Sequence, residues 1–534
     1  MALEDIMLPP DPARVMEGLR DTGYDFNTAV ADIIDNSIAA KANLVNILLQ
    51  MDPNGEVFVY VADNGCGMDF EGLKNAMKYG SAERQNKASL GKFGLGLKTA
   101  STAFCRCLSV ISKGTDMTLR KVQWDLDHIV LTGQWNLRQP DITPDEEEYL
   151  EETAGDGTGT LVVWEKIDRL LSNYRSSTMA KKALARIEQA LRFHISMVYQ
   201  RFLDESDTRA ENVTICLNGQ KVQPWDPFCL KEGNTTILYD EPIGINISGN
   251  EEQDDIPLII RAVLIPRRDE FSTKEAGDEA RVSNDMQGFY VYRENRLIHY
   301  GDWMGMFSRE PHGTLLRVEL SFGHDLDEAF HVDIKKSRIL LNEEIYNYIK
   351  DSVMPAPRRA ADERYRKGTK KKVEEASETA HDASNRSIDE KAKGVEGSSV
   401  QVVNESTGEV QVTNSNGTFR HRISVHHADR PGQFRVIPVP MIDNGMLWAP
   451  TIVDGKHAVD INMGHPYYQK VYYPVLQENV LVTGMDSLLW ALAEAELSTF
   501  NAETREQFEE MRFMVSKCLR RLVADLPDPN VSEE

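Results

Sequence analysis

Cysteine is scarce in this chain, and what there is lies scattered. Six residues, Cys66, Cys105, Cys107, Cys216, Cys229 and Cys518, are spread over 534 positions. Cys105-x-Cys107 has no second ligand pair, which argues against a zinc site. Reduced thiols and a cytoplasmic location are the expectation. Long apolar runs are missing: no window approaches eighteen consecutive apolar residues, so no membrane span is expected. The opening residues Met1-Ala2-Leu3-Glu4-Asp5 put no basic region ahead of an apolar core, so no signal peptide is expected either. Positive charge is in deficit, with 60 Lys and Arg against 84 Asp and Glu and a net charge of −24. That excludes a surface that is basic everywhere but leaves room for a local basic groove. A hydrophobic fraction of 41% supports globular folding, and the length calls for two to four domains.

What is present concentrates in the first hundred residues. Asp63-Asn64-Gly65-Cys66-Gly67-Met68 follows a strand-like run, Val57 to Val61. Gly91-Lys92-Phe93-Gly94-Leu95-Gly96 follows a polar stretch. Upstream lies Ala31-Asp32-Ile33-Ile34-Asp35-Asn36-Ser37, and downstream Gly159-Thr160. A carboxylate at a strand end, Asp63, can accept a hydrogen bond from the amine of adenine, while Gly65 and Gly67 let backbone approach the purine. Met68 closes that motif and is grouped with it. The G-x-x-G-x-G segment offers successive backbone N–H groups to phosphates, the more so if Leu97–Phe104 forms a helix behind it. Asp32 and Asn36 fall on one helical face. The Asn36 amide oxygen suits Mg²⁺, and the Asp32 carboxylate can orient or deprotonate water. A P-loop is rejected because Gly96-Leu97-Lys98-Thr99 lacks glycine directly before lysine.

In this order the motifs resemble those of the GHKL ATPase superfamily (gyrase, heat-shock chaperone, histidine kinase, MutL), with its Bergerat fold. The runs Ile34-Asp35-Asn36-Ser37 and Gly159-Thr160-Leu161-Val162-Val163-Trp164 look closest to the MORC-like group and its bacterial relatives. The resemblance is dense over residues 25–165. It implies ATP and Mg²⁺ as cofactors, a helper role for Thr160 at adenine, and a lid that closes over the phosphates. Asp32 stands where the hydrolysing branches usually carry Glu, one methylene further back, which implies slow hydrolysis or a partial shift of the role to Asp35. Ala39 also replaces an acidic residue common in the family.

The fold class expected is α/β (α+β sandwich). Residues 1–170 form the ATP-binding domain and 171–207 a connecting helix, with Ser176–Phe202 free of Pro and Gly. Residues 208–350 form a transducer-like α/β domain, 351–400 a charged linker or helical extension, and 401–534 a strand-rich then helical domain. Gly288–Ile298 reads as a hairpin and resembles a transducer segment. That resemblance implies a lysine donated to the γ-phosphate, with Lys335 and Lys336 as the options. Asp145–Glu152 reads as a solvated connection, Ile129-Val130-Leu131 as strand, and Gly464–Tyr468 as an exposed-looking aromatic stretch that is a packing corner rather than a site. The stripe Leu488, Leu489, Leu492, Phe508, Met511, Val515, Leu519 and Leu522 suits core or a dimer interface. His194 reads as an interface histidine, not a ligand.

The resemblance implies an ATP-driven homodimer that acts on DNA or a protein client; the basic cluster at 358–372 is a secondary option for nucleic acid. The alternatives are a chaperone-like ATPase and a non-hydrolysing ATP sensor. A histidine kinase is discounted because the first histidine, His128, lies beyond the phosphate motif. The C-terminal part shows no carboxylate cluster that would suit a nuclease.

Overall fold

The computed structural model describes residues 11–21, 23–79, 90, 96–171, 177–246, 255–327, 329–330, 341–405, 407–428, 430 and 432–526. The chain divides into two compact units, Met1–Ala361 and Asp362–Glu534.

The first unit begins with α1 (Pro12–Arg20) and α2 (Phe26–Ala39), followed by β1 (Leu44–Met51), β2 (Val57–Asp63) and α3 (Phe70–Met77). Then come α4 (Gly96–Phe104), β3 (Cys105–Lys113), β4 (Leu119–Asp125), α5 (Leu126–Thr132), α6 (Pro144–Ala154) and β5 (Gly159–Ile167). The elements α7 (Ser177–Val198) and α8 (Gln200–Leu203) lead to β6 (Thr214–Leu217) and β7 (Gln220–Lys221). These strands make a seven-stranded sheet in the order β4-β3-β5-β2-β1-β6-β7. Its pairs are antiparallel except β1 with β6.

The near-continuous apolar sequence of β2 reflects its central place, since a strand covered on both faces needs apolar residues at successive positions. Val59 and Val61 join the larger core with Ala29, Val30, Ile33 and Ile34 of α2. Ala62 joins Leu150, Leu161 and Val163 under α6. Asp25 starts α2 by accepting from the Thr28 N–H, a cap worth about 1 kcal/mol.

A second sheet in the same unit is built from β8 (Thr236–Ile245), β9 (Ile256–Leu264), β10 (Gly288–Arg293), β11 (Arg296–Asp302) and β12 (Leu316–Phe322). The order is β11-β10-β12-β9-β8. The hairpin expected at Gly288–Ile298 is β10 and β11, turned by Glu294 and Asn295, both with positive φ. A short helix, α9 (Lys274–Glu279), lies between β9 and β10, and α10 (Glu343–Tyr348) follows β12.

Two local expectations fail, and each had a readable signal. Ile129-Val130-Leu131 is helical, within α5. Asp125 caps the start by accepting from the Asp127 and His128 N–H groups, and Gly133 ends it in the left-handed region at φ 64. An apolar triplet between an N-cap and a C-terminal glycine is a one-turn-plus helix, not a strand. The acidic run Asp145–Glu152 is also no loop: it is the body of α6, opened by a capping box between Thr143 and Glu146 with Pro144 in the first turn. Carboxylates in that turn are favoured by the helix dipole.

The second unit takes up the chain within α11 (Pro355–Ala380) and continues through α12 (Asp382–Ala392). The stretch expected as a charged linker or helical extension is thus largely helical. Val373 of α11 enters its core, as do Ile388 and Ala392 of α12, which fall four residues apart on one helical face. Beyond lie a three-stranded sheet of β13 (Ser398–Asn404), β14 (Glu409–Asn414) and β15 (Gly417–Arg422), and then β16 (Ser424–His426), β17 (Val436–Val439), β18 (Trp448–Val453) and β19 (Lys456–Asn462). The latter four pair in the order β16-β18-β19-β17. Helices α13 (Asn479–Leu497) and α14 (Ala502–Leu522) close the unit. The exposed-looking aromatic stretch is the packing corner expected of it, with Tyr468 buried: its hydroxyl lies 2.8 Å from His381 Nε2, and His381 Nδ1 lies 2.8 Å from Asp486. Leu489 is buried in the helical stripe, whereas Leu488 and Leu522 are exposed.

Candidate nucleotide site

Asp63 ends β2 opposite Thr160 of β5 in the antiparallel register. Burial of this strand end puts the carboxylate 5% exposed. Its two oxygens are held separately: Oδ2 accepts from the Ser37 hydroxyl at 2.7 Å and Oδ1 from the Gly65 N–H at 2.9 Å. Burial raises the carboxyl above its usual value of 3.8, and the donors Ser37, Gly65 and Thr160 oppose the shift.

Acidification therefore protonates Asp63 before an ordinary aspartate, and a protonated carboxyl is a poorer acceptor for an adenine amine. The sign for stability is opposite: with the folded value raised, the charged form is the disfavoured one, and its cost grows as pH climbs past 3.8. ATP affinity measured by calorimetry is expected to weaken on acidification at a pH above 3.8, while the fold does not loosen through this group. Constant affinity down to that pH would contradict the reading of Asp63 as an adenine acceptor.

The glycines after Asp63 answer first to the protein. A Cβ at Gly65 would stand 2.8 Å from the Cβ and carbonyl oxygen of Ala40. Gly67 has φ +61 and a Cβ there would collide with the Lys113 carbonyl. The turn thus lies against the end of α2 on one side and β3 on the other. Ser112 fastens the same corner. Its Oγ accepts from the Met68 N–H at 2.9 Å, donates to the Gly159 carbonyl at 3.0 Å, and lies 2.9 Å from Thr160 Oγ1. The Thr158 hydroxyl donates to the Gly65 carbonyl at 2.7 Å. Ser37, Ser112 and Thr158 hold this corner beyond the roles the motifs themselves imply. Only Ser37 had a readable signal, its helical spacing behind the Asp/Asn motif; the other two act through β-sheet register, which a single sequence does not reveal.

Asp32 lies on α2 at 6% exposure. Its Oδ2 accepts from the Tyr24 hydroxyl at 3.2 Å. A Cβ built on Gly96 would stand 3.3 Å from the same oxygen, so the carboxylate adjoins the first residue of α4. Asn36 donates its side-chain N–H to the Asp32 carbonyl at 2.9 Å, which fixes the orientation of the amide. Of the phosphate motif only Gly96 falls within the described residues; Gly91, Lys92, Phe93, Gly94 and Leu95 lie outside them, as do Lys335 and Lys336.

Asp35 is fully buried. Its Oδ1 takes a hydrogen bond from Arg296 Nε at 2.7 Å and lies 2.8 Å from the Tyr199 hydroxyl. A carboxylate so engaged is not available to activate water, so the alternative base at this position is set aside.

Among the described residues no group of three or more His, Cys, Asp and Glu side chains could hold a metal. An oxygen from Asn36 fits Mg²⁺, an ion that keeps several waters and takes further ligands from substrate phosphates. The donor set suits an ion carried by a nucleotide rather than a dedicated cage.

Residues 24–160, roughly a quarter of the chain, match the family model described as histidine kinase-, DNA gyrase B-, and HSP90-like ATPase. This segment is an ATPase domain of the GHKL type, a class that binds and hydrolyses ATP. No curated protein matches the sequence. A solved structure titled "Crystal Structure of N terminal domain of a DNA repair protein" is similar at 18% identity and TM-score 0.40, covering 67% of this chain and 98% of that one. Among the described residues no helix is long and apolar enough to cross a membrane.

Proposed function

We propose that the protein is a Mg²⁺-dependent ATPase in which Asp63 reads adenine, Asn36 ligates the metal and Asp32 activates the attacking water. One observation carries the reading: the Asp63 corner and the Asp32–Asn36 face lie on the same helix-and-strand framework, with Asp32 beside the start of α4. Bound Mg²⁺ would offset phosphate charge. The chain's own groups do the rest. Ser37, Gly65 and Thr160 keep Asp63 an acceptor, and the N-terminal end of α4 favours an anion. Asp32 holds its carboxylate where the phosphate end of a nucleotide would lie, in reach of a water. Thr160, Met68 and the glycines Gly65 and Gly67 line the purine end, and Gly91–Gly96 the phosphates.

ATP in this reading also switches the assembly. A lid over the triphosphate creates new surface, and a lysine, Lys335 or Lys336, meets the γ-phosphate, so that dimer and monomer exchange with nucleotide state. The dimer acts on DNA or on a protein client. Sedimentation with a non-hydrolysable ATP analogue is expected to give a larger species than with ADP, and Lys335→Ala or Lys336→Ala to blunt the shift. An unchanged mass in every nucleotide state would overturn the switch.

A further inference from the structure

The helix that carries Asp32 is gripped from the second sheet. Tyr199 sits at the break between α7 and α8, with φ −106 and ψ 20. Its hydroxyl lies 2.6 Å from the Ala31 carbonyl and 2.8 Å from Asp35 Oδ1. Arg296, the first residue of β11, donates its Nε to that same Oδ1 at 2.7 Å, across 261 positions of sequence. All three side chains are buried, at 0% for Tyr199, 4% for Arg296 and 0% for Asp35. The two contacts on α2 thus fall one residue before Asp32 and three residues after it.

Charge and proton supply suit a fixed grip. Burial alone would lower the Arg296 value, but the carboxylate charges of Asp35 and Asp32 raise it, so the guanidinium stays charged. Burial, and then Asp35, push the Tyr199 hydroxyl far up, so it stays a donor. Burial, and then Arg296, push the neighbouring His194 down to about 4, which leaves it neutral beside the arginine. A buried ion pair is expensive to form and more expensive to halve. That makes it poor as a mere stabiliser and useful for holding one geometry.

We propose that Arg296 and Tyr199 are positioning residues: they clamp α2 on either side of Asp32, so that the second sheet sets the pose of the water-activating carboxylate. The clamp rests on the reading of Asp32 given above. It acts on turnover more than on nucleotide binding, because the adenine corner at Asp63 is also held from outside α2, by Gly65 and Thr160.

The test compares Arg296→Gln, Arg296→Lys and Tyr199→Phe with Lys121→Gln. The last breaks a buried pair of similar burial, Lys121–Glu146 at 2.7 Å, between β4 and α6. Displacing a catalytic group by about 1 Å can cost on the order of a hundredfold in rate. Arg296→Gln should therefore lower kcat at least about tenfold with KM for Mg-ATP held within about threefold. Arg296→Lys should recover part of the loss. Tyr199→Phe, which loses only a hydroxyl and is expected to fold, should move kcat in the same direction by less. Lys121→Gln should leave kcat within about twofold despite a comparable loss of thermal stability. Equal falls in Arg296→Gln and Lys121→Gln, or a rise in KM that accounts for the whole loss, would overturn the clamp. Should the wild-type protein bind ATP without turning it over, the ATPase reading fails. The clamp is then decided by hydrogen exchange over residues 26–39: faster in Arg296→Gln than in Lys121→Gln supports it, and equal rates refute it.

Discussion

Asp63→Asn is expected to abolish measurable ATP binding while leaving the fold intact. The carboxylate divides its oxygens between the Gly65 N–H at 2.9 Å and the Ser37 hydroxyl at 2.7 Å. An asparagine can keep the first through its amide oxygen and turn its NH₂ toward Ser37. That serine has a second acceptor within reach, the Ile33 carbonyl at 3.4 Å. The internal framework therefore survives. What is lost is acceptor strength toward an incoming amine. One corner of the site now donates where it accepted, and hydrogen bonds to charged groups are worth about 1.5–3 kcal/mol, or roughly tenfold to more than a hundredfold in affinity. Calorimetry with Mg-ATP and circular dichroism on the same preparation separate the two effects. Unchanged affinity would remove Asp63 from the site, and a lost dichroic signal would show that the residue serves the fold first.

Asp32→Asn should do the reverse, keeping ATP binding and losing turnover. The substitution preserves shape, so the Tyr24 hydroxyl at 3.2 Å still finds an acceptor, and the backbone carbonyl of residue 32 still receives the Asn36 amide at 2.9 Å. Only the capacity to take a proton goes. General-base catalysis contributes about a hundredfold to ten-thousandfold, and a loss of that order in single-turnover phosphate release is expected. Asp35 cannot substitute, since its carboxylate is committed to Arg296 and Tyr199. A variant that hydrolyses at the wild-type rate would show that the site works without a base at position 32.

Much of the site was legible because its chemistry is local. Asp63 and its glycines sit within five residues, and Asp32 and Asn36 within one helical turn, so strand, turn and helix can be read from short windows. The parts that escaped reading are those made by register and by long-range closure. Ser112 reaches Met68 and Thr160 only because β3 pairs with β5. Arg296 reaches Asp35 only because the second sheet closes on α2. Nothing in the hairpin sequence distinguishes an arginine that points to solvent from one that is buried in an ion pair. The misread helices have a different cause. Ile129-Val130-Leu131 and Asp145–Glu152 suggest strand and connection by their own residues, while the residues that decide them, Asp125 with Gly133 and Thr143 with Glu146, are the caps at their ends.

The most direct test is phosphate release by the purified protein in Mg-ATP, with and without DNA, against Asp32→Asn under the same conditions. Multiple turnovers by the wild-type protein are expected, slow or fast, that stop when Mg²⁺ is chelated and fall about a hundredfold or more in the variant. Tight ATP binding with no phosphate released by the wild-type protein would contradict the ATPase reading and leave a nucleotide sensor in place of an ATPase.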